Sequence, residues 1–260
     1  MTHPYFIGAE TPRVFAHRGL VAPGEAHTVE NSFAAVAAAH AAGAVYVESD
    51  CHLTADGVVV LFHDDDLTRV TGDPRRLSEV PLHELEELMA SRGGLITLAQ
   101  ALSTFPDLRF NIDVKAAAAA QPTGAIVAEH AERVLLTSFS DSRREAALAA
   151  AVAVRPDLRP ATSAGSTRIG RILAAVASGS ARLAARALAD LDALQIPERR
   201  GPVRILSKRL IAAAHRAGVE VHVWTVNDVA DMRRLRALGV DGIVTDRADV
   251  ALDALSPPHT

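Results

Sequence analysis

Short β-branched segments alternate with alanine-rich helical ones along 260 residues. That alternation predicts an α/β fold, a (β/α)8 TIM barrel with a small insertion between its second and third strands. Three observations carry the prediction. About eight strand-like runs alternate with helices, as right-handed crossovers require. Polar residues able to do chemistry fall where those runs end. The one long connection lies between the second run and the third. An open doubly wound sheet is the structural alternative, weakened because no Gly-x-Gly-x-x-Gly follows a strand. No self-similar period suggests a solenoid.

The first strand, Val14-Phe15-Ala16, runs into His17-Arg18-Gly19. A loop with Pro23 and Gly24 leads to Glu30-Asn31-Ser32, where Asn31 or Ser32 suits a helix N-cap. Phe33 to Ala42 form the helix and Gly43 stops it. The second strand is Val45 to Cys51. Thr54-Ala55-Asp56-Gly57 then marks a tight turn, because Asp-Gly between β-branched runs favours a hairpin, and Val58–Phe62 is its returning arm. Residues 64–108 form the insertion, with one helix after Pro81 (LHELEELMA) and another from Thr97 to Thr104. The third strand, Arg109 to Val114, ends at Lys115, and a helix surrounds Gly124–Ala131. Val134 to Ser138 is the fourth strand, with Ser140 or Asp141 capping the next helix. Further strands are expected near Leu158–Thr162, Ala193–Ile196, Glu220–Trp224 and Gly242–Thr245. Within 155–203 the pattern is weakest, and Arg168, Arg171, Arg182 and Arg186 read as solvated helix faces. One domain, residues 12–255, accounts for all of this.

Apolar residues make up 49% of the chain and charged ones 22%, enough for a large core. A net charge of −4 with 4% aromatics argues against a nucleic-acid partner. Cys51 is the only cysteine, which excludes an intrachain disulfide and a cysteine metal cluster. The first residues carry no signal-peptide pattern, and no apolar run approaches the length of a membrane span. A cytoplasmic protein acting on a small molecule, with no stable membrane anchor, is therefore expected; nothing indicates an oligomeric state.

The most informative stretch is Tyr46 to Asp64. With the turn centred between Ala55 and Asp56, Glu48 faces His63 and Asp50 faces Leu61. Alternation then puts Glu48, Asp50 and His63 on one face, with His52 and Cys51 read as pointing away. Two carboxylates and an imidazole together favour a cation or a substrate between them, so a metal-assisted acid/base site is expected. The competing reading is a solvated strand edge. What tips the balance is the rim: His17 and Arg18, Glu48 and Asp50, Asp113 and Lys115, Ser138, Trp224 with Asn227, and Thr245 with Asp246 all lie at carboxyl ends of strands, where barrel active sites form.

These residues resemble the glycerophosphodiester phosphodiesterase family. The likeness runs through His17-Arg18-Gly19, Glu30-Asn31, Glu48-x-Asp50, Leu53-Thr54-Ala55-Asp56-Gly57, His63-Asp64 and Asp113-x-Lys115. It ends in Val223-Trp224-Thr225-Val226-Asn227 and Gly239 to Asp246. The resemblance implies a barrel that hydrolyses glycerophosphodiesters to an alcohol and glycerol 3-phosphate with one divalent cation. It implies Glu48, Asp50 and Asp113 as ligands, His17 and His63 as the acid/base pair, and an insertion that caps the site. Two positions depart from the family pattern. Val29 stands where proline is usual before Glu-Asn. Asp113 stands where the third carboxylate is usually Glu, so the ion must sit nearer that strand or a water must bridge.

Each role has a physical basis. Three carboxylates without cysteine favour Mg²⁺ or Ca²⁺, with Mn²⁺ also compatible. Arg18 can fork onto two phosphate oxygens and Lys115 adds a point charge. Two imidazoles with ordinary pKa values near 6.5 can serve as acid and base at neutral pH. The attacking oxygen is either water or the substrate's own C2 hydroxyl, the latter through a cyclic phosphate. Glu30 is read as orienting His17 or Arg18 rather than as a first-turn acid, and Trp224 as lining the alcohol pocket or filling the barrel mouth. Asn227 is read as a helix cap. The remaining histidines are read as structural or exposed. Alternatives are the same chemistry on lysophospholipids or a glycerol-phosphate polymer, with Leu77 to Leu98 as the apolar rim, and a silent phosphate-ester-binding barrel. A sugar-phosphate isomerase or aldolase is disfavoured because no lysine sits mid-strand in an apolar setting.

Overall fold

A ring of parallel strands forms the centre of the computed structural model, which describes residues 2–256. The strands are β1 (Arg13–His17), β2 (Tyr46–Leu53), β3 (Arg109–Val114), β4 (Val134–Thr137), β5 (Ala161–Thr162), β6 (Ala193–Pro197), β7 (Glu220–Trp224) and β8 (Gly242–Thr245). Each pairs with its neighbours in chain order, and β1 pairs with β8. A parallel bridge between Ser163 and Ala193 brings β5 and β6 together. The expected barrel is the one observed. Its closure is weakest in the segment where the sequence pattern was weakest, since β5 has only two paired residues.

Register and alternation decide which side chains meet inside. His17 lies opposite Glu48, and Asp50 opposite Asp113. Phe15, Tyr46, Leu135, Ala161, Ala193 and Val244 fill the interior, closed from below by Tyr5 and Phe6 of a short N-terminal turn. Arg13 spans this floor, donating to Glu220 at 2.8 and 2.9 Å and to the Tyr46 hydroxyl at 3.0 Å. Residues of the opposite parity, such as Val14, Val47, Ile112, Leu136 and Ile243, face outward into the layer beneath the helices. A parallel strand covered on both faces reads as a nearly unbroken apolar run, which makes its inward polar residues stand out.

Two glycines set close approaches. A Cβ on Gly242 would lie 2.7 Å from atoms of His222 and Phe15, so this residue makes room for the His222 ring inside the barrel. A Cβ on Gly124 would overlap the Ala147 carbonyl, where helices Ala120–Val127 and Asp141–Val154 cross. The alanine-rich helix Phe33–Ala41 is capped by Ser32, whose hydroxyl accepts from the Ala35 amide, and Gly43 follows it with positive φ. Helix Leu98–Thr104 begins with a reciprocal cap between Thr97 and Gln100.

After β2 the chain makes the arm Val59–Leu61, antiparallel to β2, before the connection to β3. Val60, Phe62, Leu67, Leu77, Val80, Leu85 and Met89 form a separate apolar cluster there. Leu98, Ala101 and Leu102 instead join the layer outside the barrel. Arg168 is not merely solvated: its guanidinium donates to the Ala187 and Ala189 carbonyls, tying helix Ser166–Ala177 to helix Ala181–Leu188.

Candidate active site

The carboxyl ends of the strands open into a cavity of ≈ 570 Å³. His17, Arg18, Glu48, Asp50, His63, Asp113, Lys115 and Trp224 all line it. Five of them, His17, Glu48, Asp50, Asp113 and Trp224, are inward strand positions. The register that sets Glu48 beside His17 and Asp50 beside Asp113 converges them, although β2 itself runs on to Leu53.

The acids form a buried cluster with two cations. Lys115 Nζ sits between Asp50 Oδ1 at 2.8 Å and Asp113 Oδ2 at 2.7 Å. Arg18 Nε lies 3.1 Å from Asp50 Oδ2, which also accepts from Asn31 Nδ2 at 3.1 Å. Burial opposes the Asp50 charge, yet Lys115 and Arg18 hold its carboxyl below the usual range. Glu48 has no such pairing. Burial, then the Asp50 charge, raises its carboxyl well above normal. Burial also raises Asp113.

Both oxygens of Asp50 are engaged, whereas Glu48 Oε2 and Asp113 Oδ1 are buried with no hydrogen-bond partner, as is Asn111 Oδ1. Unpartnered carboxylate oxygens in a pocket without sulfur are the donor chemistry a hard divalent cation takes, so the residues fit such an ion. Among the described residues no three His, Cys, Asp or Glu side chains stand in ligating geometry, and Lys115 lies between Asp50 and Asp113.

Each imidazole is held by a carboxylate. His17 Nδ1 lies 2.5 Å from Asp246 Oδ1, and Nε2 lies 3.8 Å from Glu48 Oε2. Burial would lower the His17 pKa, but the Asp246 hydrogen bond and the Glu48 charge outweigh it and raise it. Asp246 Oδ2 in turn accepts from Asn227 Nδ2 at 2.7 Å, and Asn227 Oδ1 accepts from Thr245 Oγ1 and the Asp246 amide. His63 Nδ1 lies 2.6 Å from Asp64 Oδ1. Glu30 stands behind the cavity wall, accepting from Arg18 NH1 at 2.6 Å.

Several expectations about this region need correcting. The hairpin pairs Cys51 with Leu61, one residue off the expected register. Thr54 and Val58 close a three-residue loop in which Gly57 takes the left-handed position, a standard alternative to the two-residue turn. Glu48 and His63 are therefore not opposed across a ladder; the arm ends at Leu61, and His63 reaches the cavity from the segment beyond. His52 does not point away from the acids' side. It shares their parity, and its Nε2 lies 3.2 Å from the His63 carbonyl. Asn227 is not the helix cap; Asp228 accepts from the Ala230 and Asp231 amides instead. Cys51 is buried in the outer layer as expected.

Beside Ser166, Gln195, Arg199 and Arg200, the cavity also has an apolar wall. Phe139, Ile169, Leu173, Ile205 and Trp224 line it, with the Phe139 and Trp224 rings 5.8 Å apart and Lys115 Nζ 5.5 Å from the Phe139 ring. Most of the expected rim residues, by contrast, are turned inward: Leu77, Val80, Leu85, Met89, Ile96 and Leu98 are buried, while Leu82, Leu88 and Leu95 are partly exposed.

Residues 17–250 match the model of the glycerophosphoryl diester phosphodiesterase family. The chain belongs to that family. It is thus a phosphoric diester hydrolase by descent, in keeping with a cavity of imidazoles, acids and cations at a barrel rim. It is 35% identical over 256 residues to the probable glycerophosphodiester phosphodiesterase 2 of Mycobacterium tuberculosis, covering 95% of each chain. A lysophospholipase D from Mus musculus is 36% identical over 117 residues, 40% of this chain and 34% of that one. Among solved structures, an Oleispira antarctica phosphodiesterase in complex with the product sn-glycerol-3-phosphate superposes with a TM-score of 0.70 at 24% identity, covering 94% of this chain and 97% of that one. At that identity the superposition speaks to the fold, which this family member shares.

Proposed function

We propose that this family member hydrolyses glycerophosphodiesters to an alcohol and glycerol 3-phosphate, with His17 and His63 moving the protons and one divalent cation assisting. The observation that carries the reading is the pair of unpartnered buried oxygens, Glu48 Oε2 and Asp113 Oδ1, in one cavity with two carboxylate-held imidazoles. Glu48 and Asp113 would hold the cation, with Asp50 shared between it and Lys115. Mg²⁺, Ca²⁺ and Mn²⁺ all suit oxygen donors. When bound, the cation draws charge from a non-bridging phosphate oxygen.

The chain's own groups do the rest. Arg18 and Lys115, both already in the cavity, bind the phosphate's negative charge, Arg18 through its fork. One imidazole takes the proton of the attacking oxygen, either water or the substrate's C2 hydroxyl, and the other gives a proton to the departing alkoxide. If the C2 hydroxyl attacks, water then opens the cyclic phosphate to glycerol 3-phosphate. Each transfer contributes on the order of 10²–10⁴ in rate. Asp246 and Asp64 keep the two rings oriented, and Glu30 steadies Arg18. Trp224 lines the alcohol side.

A second reading, a substrate bearing one acyl chain, is favoured by the apolar wall of Phe139, Ile169, Leu173 and Ile205. One assay tests both. Glycerol 3-phosphate release from glycerophosphocholine is followed with and without EDTA, and lysophosphatidylcholine is run in parallel. Release that EDTA stops and a divalent cation restores supports the proposal. Release indifferent to EDTA removes the cation, and turnover of the lysolipid alone transfers the chemistry to the second substrate.

A further inference from the structure

We propose that Arg69, on the insertion, is a positioning residue that sets His63 and Arg18 together, so that one guanidinium fixes both the proton-transfer and the phosphate-holding halves of the site. The proposal rests on the hydrolase reading above.

Arg69 Nε donates to Asp64 Oδ2 at 2.6 Å, and its NH2 donates to Glu30 Oε1 at 2.7 Å. Each carboxylate then holds a group in the cavity. Asp64 Oδ1 lies 2.6 Å from His63 Nδ1, and Glu30 Oε1 accepts from Arg18 NH1 at 2.6 Å. Among the described residues, no further side chain donates to Asp64 or Glu30. The relay is unbranched: His63, Asp64, Arg69, Glu30, Arg18. A planar guanidinium presents two edges at fixed angles, whereas an ammonium is a single point. Here the two carboxylates are held from different nitrogens, Nε for Asp64 and NH2 for Glu30. An ammonium can bridge only carboxylates that converge on one nitrogen, as Asp50 and Asp113 do on Lys115.

Arg69 itself stands on a fixed base. It belongs to the one-turn helix Thr68–Thr71, preceded by the fully buried Leu67. Arg92 donates to the Val70 carbonyl at 2.8 Å and to that of Thr71 at 3.2 Å, holding the turn from behind. The Arg69 side chain is half exposed, so its ion pairs add little to folding. Their consequence is orientation.

The test compares Arg69→Ala, Arg69→Lys, Asp64→Asn and Glu30→Gln with the intact chain. It measures kcat and KM on glycerophosphocholine, glycerol 3-phosphate affinity by calorimetry, and melting temperature. Asp64→Asn should act on kcat and Glu30→Gln on phosphate affinity. Arg69→Ala should lower both by about 10–100-fold, as loss of an orienting partner typically does, at an unchanged melting temperature. Arg69→Lys should recover one of the two losses. Arg75→Ala, which breaks only contacts to Asp73 and Glu84, should change neither. Unchanged kcat and affinity in Arg69→Ala would overturn the proposal, as would losses that merely follow a fall in melting temperature. If the intact chain hydrolyses no glycerophosphodiester, the hydrolase reading fails on its own. The affinity measurements then decide the Arg18 half of the relay alone.

Discussion

Replacing Asp246 with Asn separates catalysis from stability. The Asp246 carboxylate, 2.5 Å from His17 Nδ1, can only accept, so it fixes the ring with its proton on Nδ1 and leaves Nε2 free on the Glu48 side. An amide can turn its NH2 toward the ring, which reverses that tautomer. It also removes the negative charge that favours the imidazolium. Acid/base catalysis by a positioned group supplies on the order of 10²–10⁴ in rate, equivalent to about 3–5 kcal/mol of barrier. The folding side is much smaller. The Asp246 side chain is 52% exposed, and exposed ion pairs contribute about 0–1 kcal/mol. Asp246→Asn should therefore lose at least about 100-fold in kcat on glycerophosphocholine, with a melting temperature within a few degrees of the parent. A kcat within about threefold of the parent, less than any positioned acid or base contributes, would refute the assignment of His17 to proton transfer.

Other changes probe the frame and the acids. Gly242→Ala should destabilise by about 1–3 kcal/mol, the usual cost of overpacking, because the new methyl meets His222 and Phe15; a calorimetric melt without loss would contradict that packing. Burial would raise the Glu220 carboxyl, but His222 and Arg13 hold it below its usual value. Its contribution is therefore present above the unfolded pKa and disappears as pH falls through the folded one. Denaturant titrations should show the gap between the parent and Glu220→Gln closing on acidification, and a gap that widens would reverse the sign. Asp113→Ala removes a carboxyl that burial disfavours as an anion, so it should weaken cation binding more than folding. Unchanged cation affinity by calorimetry would take Asp113 out of the ligand set.

The barrel was legible because inward polar residues interrupt otherwise apolar parallel strands. His17, Glu48, Asp50, Asp113 and Trp224 announce the site as inward strand positions. The hairpin register was not legible, since Asp56-Gly57 serves a two-residue and a three-residue loop equally, and only the backbone at Gly57 chooses. His52 could have been read correctly, because it shares parity with Glu48 and Asp50. Asp246 was visible as a strand-end acid, but its contact with His17 depends on β8 closing against β1. That pairing joins the two ends of the chain. Arg69 gave no signal beyond an arginine near His63-Asp64, and Glu30, its other partner, lies 39 positions away. The apolar wall gathers Phe139, Ile169, Leu173, Ile205 and Trp224 from separate elements, two of them in the segment where a two-residue β5 leaves little pattern to follow.

The proposed chemistry needs two imidazoles and a cluster of buried acids acting on one phosphate. Turnover of glycerophosphocholine by His17→Ala and His63→Ala, each with the parent's circular dichroism spectrum, addresses this most directly. Both variants should be reduced by at least about 100-fold while still binding glycerol 3-phosphate. Full turnover by either one, with the fold intact, would contradict the account.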